Sequence, residues 1–352
     1  MKKDIMKIVF VVLGTMIGAG FASGKEMYLF FFSYGIEGII GIIISCSIVG
    51  FIIYKTLQIL IMNKANSKET NSYRDFLDIL IQEKNGKKYD KIKDFINSTI
   101  NILILITFFI MIAGFGAYFE QQLGINSLIG STILALLCFV IFTTNVKGVI
   151  KANEVIVPIL IVFLIIIGML NLKEINLLEL ENYVVRANNS SYILSAVLYS
   201  SYNCVFLIPV LVTLEGYINN KRQIAMGAII STFIMILLSI VVYLILVRVD
   251  VDITKLEMPA VYVVSNMFYL LRYIYGFIIL GSIFTTSISL GTSFLQNISK
   301  NRKGYTQIGS IMCITAVLIS KIGFSNLVSS LYPIFGYLGL LQIVRIMFIA
   351  DQ

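Results

Sequence analysis

Long apolar stretches separated by short polar joins run along the whole chain. A helix needs roughly 20 mostly apolar residues to cross a hydrocarbon layer of about 30 Å, and backbone groups in lipid must be satisfied internally, which favours helices. Continuous runs such as residues 100–112 and 155–170 lack the alternation of an outer-membrane barrel. The pattern predicts an all-α polytopic membrane protein with about ten transmembrane helices, at residues 5–34, 36–62, 93–119, 127–143, 154–171, 190–216, 223–247, 270–298, 306–320 and 325–349.

The composition supports this prediction, because 58% of the 352 residues are hydrophobic and only 13% are charged, against about 25% charged residues in soluble domains. The whole chain, residues 1–352, is predicted to be one domain embedded in the lipid bilayer. Its start resembles a signal peptide, but the apolar pattern resumes at once in residues 28–32, so we expect this segment to be retained as the first span.

The net charge is +8, and the basic residues cluster in particular joins between the apolar spans. If the N-terminus is cytoplasmic, most Lys and Arg residues fall in cytoplasmic joins, as the positive-inside rule requires. We therefore expect both termini to be cytoplasmic, an even number of spans, and a location in a bacterial cytoplasmic membrane. No nucleic-acid partner is expected, and the sequence does not indicate an oligomeric state.

Two joins contain apolar residues at helical spacing. In the cytoplasmic loop of about residues 63–92, such residues suggest a helix that lies on the membrane surface. These residues are Tyr73, Phe76, Leu77 and Leu80. The alternative, which we prefer, is a solvated connector held near anionic lipid. In the outer join of residues 250–272, Pro259 is suited to begin a short helix over residues 261–270, and we interpret that helix as a candidate lid.

The first span is unusually long, because about 30 residues would make a helix of roughly 45 Å. Its middle, residues 14–24, contains four glycines, and each glycine weakens a helix interior by up to about 1 kcal/mol. We predict an unwound segment over residues 18–23. The alternative is a packing seam, because Gly14-x-x-x-Gly18 is also a helix-contact motif.

Two charged residues, Lys25 and Glu26, follow this segment on its outer side. They are candidates for an outer gate, and the alternative is that they anchor the helix at the lipid head groups. Because adjacent residues do not face each other on a helix, we do not expect them to form a pair.

The sixth span contains the polar stretch Tyr199-Ser200-Ser201-Tyr202-Asn203, and Pro209 follows it. Proline removes a backbone donor, and polar residues in lipid must be paired or must line a cavity. We predict a second interruption at this polar stretch; the alternative is a simple proline kink with satisfied hydroxyls. Paired interruptions in two spans of opposite direction are typical of the central site of a secondary transporter.

Peptide groups released at two such breaks can bind both ends of a zwitterion. Amides at one break can bind a carboxylate, and carbonyls at the other can bind an ammonium group. The expected partner is therefore a small solute such as an amino acid. The candidate substrate-binding residues are Gly18, Ala19, Gly20, Phe21, Tyr199, Ser200, Ser201, Tyr202 and Asn203.

The segment Gly14-Thr15-Met16-Ile17-Gly18-Ala19-Gly20-Phe21-Ala22-Ser23-Gly24-Lys25-Glu26 resembles the opening signature of the YkvI-like bacterial membrane proteins, amino-acid permeases of the amino acid-polyamine-organocation superfamily. The resemblance covers essentially the whole chain in span count and order, although only the first-span motif is specific. It implies a LeuT-type five-plus-five inverted repeat with discontinuous helices 1 and 6, in halves of about residues 5–172 and 188–350. It also implies amino-acid transport by alternating access, with the first-helix break facing the substrate carboxylate and residues 200–203 facing the amine.

In sodium-coupled members of that superfamily, a cation lies between first-helix carbonyls and eighth-helix hydroxyls. The resemblance therefore implies a sodium site here, and the alternative is that these hydroxyls bond to their own helix backbone. The fifth span has no lysine at the place where proton-coupled relatives carry one, which favours sodium as the coupling ion. No other cofactor is expected. The matching positions are Gly14, Ile17, Ser282, Thr285, Thr286 and Ser289.

Other classes of protein fit less well. The chain has no histidine, nucleophile elbow or phosphate-binding loop, so we do not expect an enzyme. The Asp-Pro-Gly and Met-Pro-His motifs of related metal carriers are absent, so divalent-metal transport is not expected. A channel lacks support, since no selectivity-filter sequence or charged pore ring is visible. The main alternative is an amino-acid-sensing receptor of the same superfamily, as in spore germination, which need only bind its ligand.

Overall fold

The computed structural model describes residues 2–65, 72–80, 87–172, 191–249, 251–253, 256–267, 269–299 and 302–347. These residues form fourteen α-helices. The helices are α1 (Lys2–Met16), α2 (Ala19–Ala22), α3 (Lys25–Phe30), α4 (Ile36–Ala65), α5 (Tyr73–Leu80), α6 (Lys87–Leu123), α7 (Ser127–Phe142), α8 (Asn145–Leu172), α9 (Tyr192–Val212), α10 (Lys221–Leu246), α11 (Pro259–Met267), α12 (Tyr269–Ile298), α13 (Arg302–Ile319) and α14 (Phe324–Met347).

Eight of the described helices are long and apolar enough to cross a membrane: α4, α6, α8, α9, α10, α12, α13 and α14. The 16-residue helix α7 is apolar but shorter, and the first predicted span is divided among α1, α2 and α3. The prediction of a multi-pass helical membrane protein is confirmed. The count of ten spans and the inverted repeat remain predictions.

The first span is interrupted twice. Helix α1 ends at Met16, and Gly18 has an extended backbone with φ −98° and ψ −167°. After the single turn of α2, Gly24 adopts a left-handed φ of 79°, a conformation that glycine tolerates and most residues do not. The predicted interruption is therefore present. Its predicted extent of residues 18–23 is wrong, because the chain rewinds for one helical turn between the two breaks.

The sixth span is one uninterrupted helix, α9, with Pro209 inside it. The predicted break over residues 200–203 is therefore wrong. The Ser200 hydroxyl donates to the Val197 carbonyl at 2.8 Å, and the Asn203 amide donates to the Tyr199 carbonyl at 2.9 Å. Such polar side chains bond to their own helix backbone, so the polar stretch does not require unwinding.

Helices α1, α9 and α12 lie at the centre of the packing. Helix α9 packs between α4 and α14, while α1 contacts α8, α10 and α12, and α12 also contacts α6. The helices at the periphery of the bundle expose large apolar side chains such as Leu136 of α7, Phe233 of α10 and Leu341 of α14. Exposed side chains of this kind suit contact with lipid, so the broken first span lies inside a ring of lipid-facing helices.

Helix α5 is present as predicted within the described part of the loop of residues 63–92, but its apolar face is turned toward the protein. Tyr73, Phe76, Leu77 and Leu80 are all buried. The Arg345 guanidinium of α14 donates to the Leu80 carbonyl at 2.7 and 3.1 Å. The expected position of this helix on the membrane surface is therefore wrong, because the bundle itself covers the apolar face.

The outer helix that we predicted at Pro259 is also present, as α11, and it ends at Met267 rather than at residue 270. Its N-terminal end contacts the first span, since the Ala260 amide donates to the Ser23 carbonyl at 2.9 Å. Parts of the outer join of residues 250–272 lie outside the described residues.

The docking of α5 predicts a large effect for a core truncation. Phe76 is 0% exposed, whereas Phe95 of α6 is 73% exposed. Truncating a buried phenylalanine to alanine costs about 3–5 kcal/mol, so Phe76→Ala should clearly lower the thermal unfolding temperature in detergent. A thiol-reactive dye can report unfolding, because all four cysteines are buried.

The matched control is Phe95→Ala, which removes the same atoms from an exposed position and should change the unfolding temperature little. Equal destabilisation by the two variants would contradict the packing of α5 against the bundle.

Candidate functional site

A small void of about 10 Å³ lies at the first break, between α1, α6, α9 and α12. This volume holds about one water molecule, so the bundle is closed around the void. The lining residues are Thr15, Met16, Gly18, Glu26, Thr107, Met111, Tyr202, Asn203, Phe206, Thr286 and Leu290. Of the predicted site residues, Gly18, Glu26, Tyr202, Asn203 and Thr286 thus meet at one place.

Thr286 of α12 bridges the end of α1. Its hydroxyl donates to the Gly14 carbonyl at 2.9 Å and lies 3.2 Å from the Ile17 carbonyl. The Gly14 carbonyl belongs to the last turn of α1 and the Ile17 carbonyl follows it directly, at the end where a helix leaves acceptors without intrahelical partners. The interruption is therefore stabilised from the neighbouring helix.

The other hydroxyls of the predicted sodium site bond to their own helix. Ser282 donates to the Ile279 carbonyl, Thr285 to the Ser282 carbonyl and Ser289 to the Thr285 carbonyl, at 2.8 to 3.0 Å. This is the alternative that we considered for all four hydroxyls. The structure brings only Thr286 of this group into hydrogen bonds with Gly14 and Ile17.

Asn153 of α8 is a residue that the sequence analysis missed, because the fifth span was placed from residue 154 onward. It is 0% exposed, and its Oδ1 lies so close to Gly14 that a side chain there would overlap it. That Oδ1 has no hydrogen-bond partner among the described residues. Asn153 lies four residues from each of the apolar residues Val149 and Val157. This spacing places all three on one helix face and could have indicated that Asn153 is buried.

Glu26 turns back from α3 over the first span. The Tyr199 hydroxyl donates to Oε2 at 3.2 Å, and the Tyr202 hydroxyl donates to Oε1 at 3.0 Å. The Phe21 backbone amide also bonds to this carboxyl group. Glu26 therefore joins the first span to α9, and the reversal at Gly24 is what directs it inward.

Lys25 points toward the join of residues 250–272 and does not pair with Glu26. Its ammonium group donates to the Leu256 carbonyl at 2.9 Å. Lys25 is 3% and Glu26 is 1% exposed, so the alternative of an anchor at the lipid head groups is wrong for both. Together with the bond from Ala260 to Ser23, the Lys25 contact closes the outer join over the first span.

The backbone amides that we expected to bind a substrate carboxylate are already used at two positions. The Ala19 amide donates to the Met111 sulfur at 3.4 Å, and the Phe21 amide bonds to Glu26. Gly20 lies directly under the Glu26 carboxyl, whose Cδ would be 3.0 Å from an added Cβ. The role of these residues in substrate binding remains a prediction.

The remaining predicted residues of α9 do not line the void. Ser200 bonds to its own helix, and Ser201 faces α14, where its carbonyl is in close contact with Gly339. The face of α9 that lies toward the void carries Tyr202, Asn203 and Phe206.

Comparison with solved structures assigns the class of fold. MhsT in complex with L-phenylalanine has a TM-score of 0.65 at 13% identity, over 96% of this chain and 87% of that chain. A Na+-coupled sialic acid symporter has a TM-score of 0.65 at 12% identity, over 96% of this chain and 76% of that chain. A manganese transporter from Eremococcus coleocola has a TM-score of 0.62 at 13% identity, over 98% of this chain and 80% of that chain. The protein thus has the LeuT fold, and identities this low support no more than the fold.

Sequence relatives assign the family. The uncharacterized membrane protein YkvI of Bacillus subtilis (strain 168) is 30% identical over 346 residues, covering 96% of this chain and 94% of that protein. The uncharacterized protein YyaD of the same organism is 24% identical over 343 residues, covering 96% of this chain and 95% of that protein. No protein-family model matches the chain. The chain belongs to the YkvI family.

The bridge at the first break predicts unequal effects for two adjacent threonines. Thr286→Val removes the hydroxyl that donates to the buried Gly14 carbonyl, and an unsatisfied buried polar group costs about 1–3 kcal/mol. Thr285→Val removes a hydroxyl that bonds only within its own helix. We expect Thr286→Val to lower the unfolding temperature in detergent much more than Thr285→Val.

Both threonines are buried on α12, so the pair controls for the change of residue type. Equal unfolding temperatures for the two variants would show that the Thr286 hydroxyl does not stabilise the end of α1.

Proposed function

We propose that this protein is a secondary transporter that carries a small amine-bearing solute, an amino acid or a compound related to one, across a bacterial cytoplasmic membrane. The observation that carries the proposal is the interrupted first span, whose peptide groups lie beside a buried void. Non-helical backbone is tolerated at membrane depth only where it is buried in protein or lines a cavity, and such interruptions are typical of transporter binding sites.

In this proposal, the solute binds at the void between α1, α9 and α12. Alternating access requires that this void open first to one side and then to the other. The outer side is closed by the contacts of Lys25 with Leu256 and of Ser23 with Ala260, so these are the contacts that must break on that side. The orientation that we propose, with both termini cytoplasmic, follows from the distribution of basic residues.

Sodium is the coupling ion that we propose. The Gly14 and Ile17 carbonyls and the Thr286 hydroxyl supply three oxygens within one small region, and the unpartnered Asn153 Oδ1 faces Gly14. Neutral oxygen ligands suit a hard monovalent cation. In this proposal the cation replaces the Thr286 bridge and holds α1 against α8 and α12.

Uptake into proteoliposomes tests the function, with a panel of amino acids and amines measured with and without a sodium gradient. Gly20→Ala should reduce uptake at least about tenfold, because even a 1 Å displacement in a site can cost 100-fold, and an added Cβ would contact the Glu26 carboxyl. Gly216→Ala is the control, since an added Cβ there meets nothing within 4 Å.

Full activity of Gly20→Ala would remove the basis for placing the site at the first break. Binding of a solute without any uptake would favour the receptor alternative, and uptake that is equal with and without the gradient would exclude sodium coupling.

A further inference from the structure

Glu26 is a buried acidic side chain within the first span. It is 1% exposed, and it forms no ion pair within the part of the chain that the structure describes. The adjacent Lys25 ammonium is directed to the Leu256 carbonyl. An isolated charge is expensive to bury, and ionisable residues inside a membrane protein commonly mark a substrate or ion pathway.

The Glu26 carboxyl occupies the place where a solute carboxylate would need to bind. It lies on Gly20, with Cγ and Cδ 2.9 and 3.0 Å from an added Cβ, and it bonds to the Phe21 amide. Two hydroxyls, from Tyr199 and Tyr202, complete its hydrogen bonds. A solute carboxylate would therefore have to compete with Glu26 for the same donors.

Aromatic rings surround the same carboxyl group and continue around the void. The Tyr202 ring stacks on Tyr332 at 4.4 Å and on Phe30 at 6.2 Å between centroids, and Phe206 packs edge-on against Tyr202 at 5.3 Å. Tyr202 and Phe206 also line the void. Aromatic faces attract organic ammonium groups, so a carboxylate inside an aromatic cluster is suited to a cationic amine.

We propose that Glu26 supplies the carboxylate that binds the ammonium group of the solute, and that the solute is a small organic amine without a carboxylate of its own. This inference rests on the proposed transport function and narrows its substrate class. The arriving ammonium group neutralises Glu26, and the Tyr199 and Tyr202 hydroxyls keep the carboxylate in position. The void then enlarges from its closed volume to admit the rest of the solute.

Matched pairs of solutes test this inference on the full-length protein. Each common amino acid is compared with the amine that results from removing its carboxyl group, for example arginine with agmatine and tyrosine with tyramine. Binding is measured as the shift of the unfolding temperature with solute concentration, using a thiol-reactive dye and the four buried cysteines. Uptake of the same compounds is measured in proteoliposomes.

We expect at least one amine to bind and be taken up, while its parent amino acid does neither at the same concentration. Glu26→Gln should weaken binding of that amine at least about 30-fold, as for loss of one partner of a buried charge pair. Glu37→Gln removes the same charge at an exposed position and should bind the amine like the wild type.

Three results would overturn the inference. If the amino acids bind and are taken up in preference to their amines, the substrate class is wrong but the transport function stands. If an amine binds equally well to Glu26→Gln, Glu26 is not its partner. If neither series binds nor is taken up, the proposed function fails together with the inference.

Discussion

The need to satisfy peptide groups inside the membrane governs this structure. Where α1 ends, the Gly14 and Ile17 carbonyls lie at the interruption, and no lipid can supply them with a donor. The Thr286 hydroxyl meets this need from α12, and the contact fixes α1 and α12 side by side. The void lies beside this contact, whereas the inward course of Glu26 depends on the turn at Gly24.

Glu26 adds a second constraint, since it ties the chain after the break to α9. Its carboxyl accepts hydrogen bonds from two tyrosines of α9, so any movement of the first span relative to α9 must change its surroundings. A buried carboxyl group is stable only when it is hydrogen-bonded, paired or neutralised. A cation that enters the void would thus act directly on the contact that couples the two central helices.

Much of the fold could be predicted from the sequence, because apolar runs of membrane length have few alternatives to helices. The four glycines of the first span indicated the interruption, and Pro259 indicated the outer helix. The continuity of the sixth span could not be predicted in the same way. Ser200 and Asn203 interrupt the apolar pattern, but their side chains bond back to the α9 backbone. A sequence does not reveal whether a polar side chain bonds to its own helix or to another. Thr285 and Thr286 present the same problem, since adjacent residues of one type have different partners.

The site was predictable only in part, because its key contacts join residues distant in sequence. Asn153 was missed because the adjacent charged residues placed it in a join, although its neighbours show the spacing of a buried helix face. Glu26 was identified as a candidate, but its inward direction depends on the turn at Gly24. The periodicity of apolar residues does not predict that a side chain folds back over a broken helix, because this direction is set by three-dimensional packing.

The central claim is that the void beside the first break becomes accessible to water when the protein opens. Labelling of the Asn203→Cys variant with a small charged thiol reagent tests it most directly, because residue 203 lines the void and the neighbouring native Cys204 is 0% exposed. We expect Asn203→Cys to be labelled in native membranes and the wild type, with Cys204 intact, to remain unlabelled. Absence of labelling in both, with the variant folded and inserted, would contradict the account.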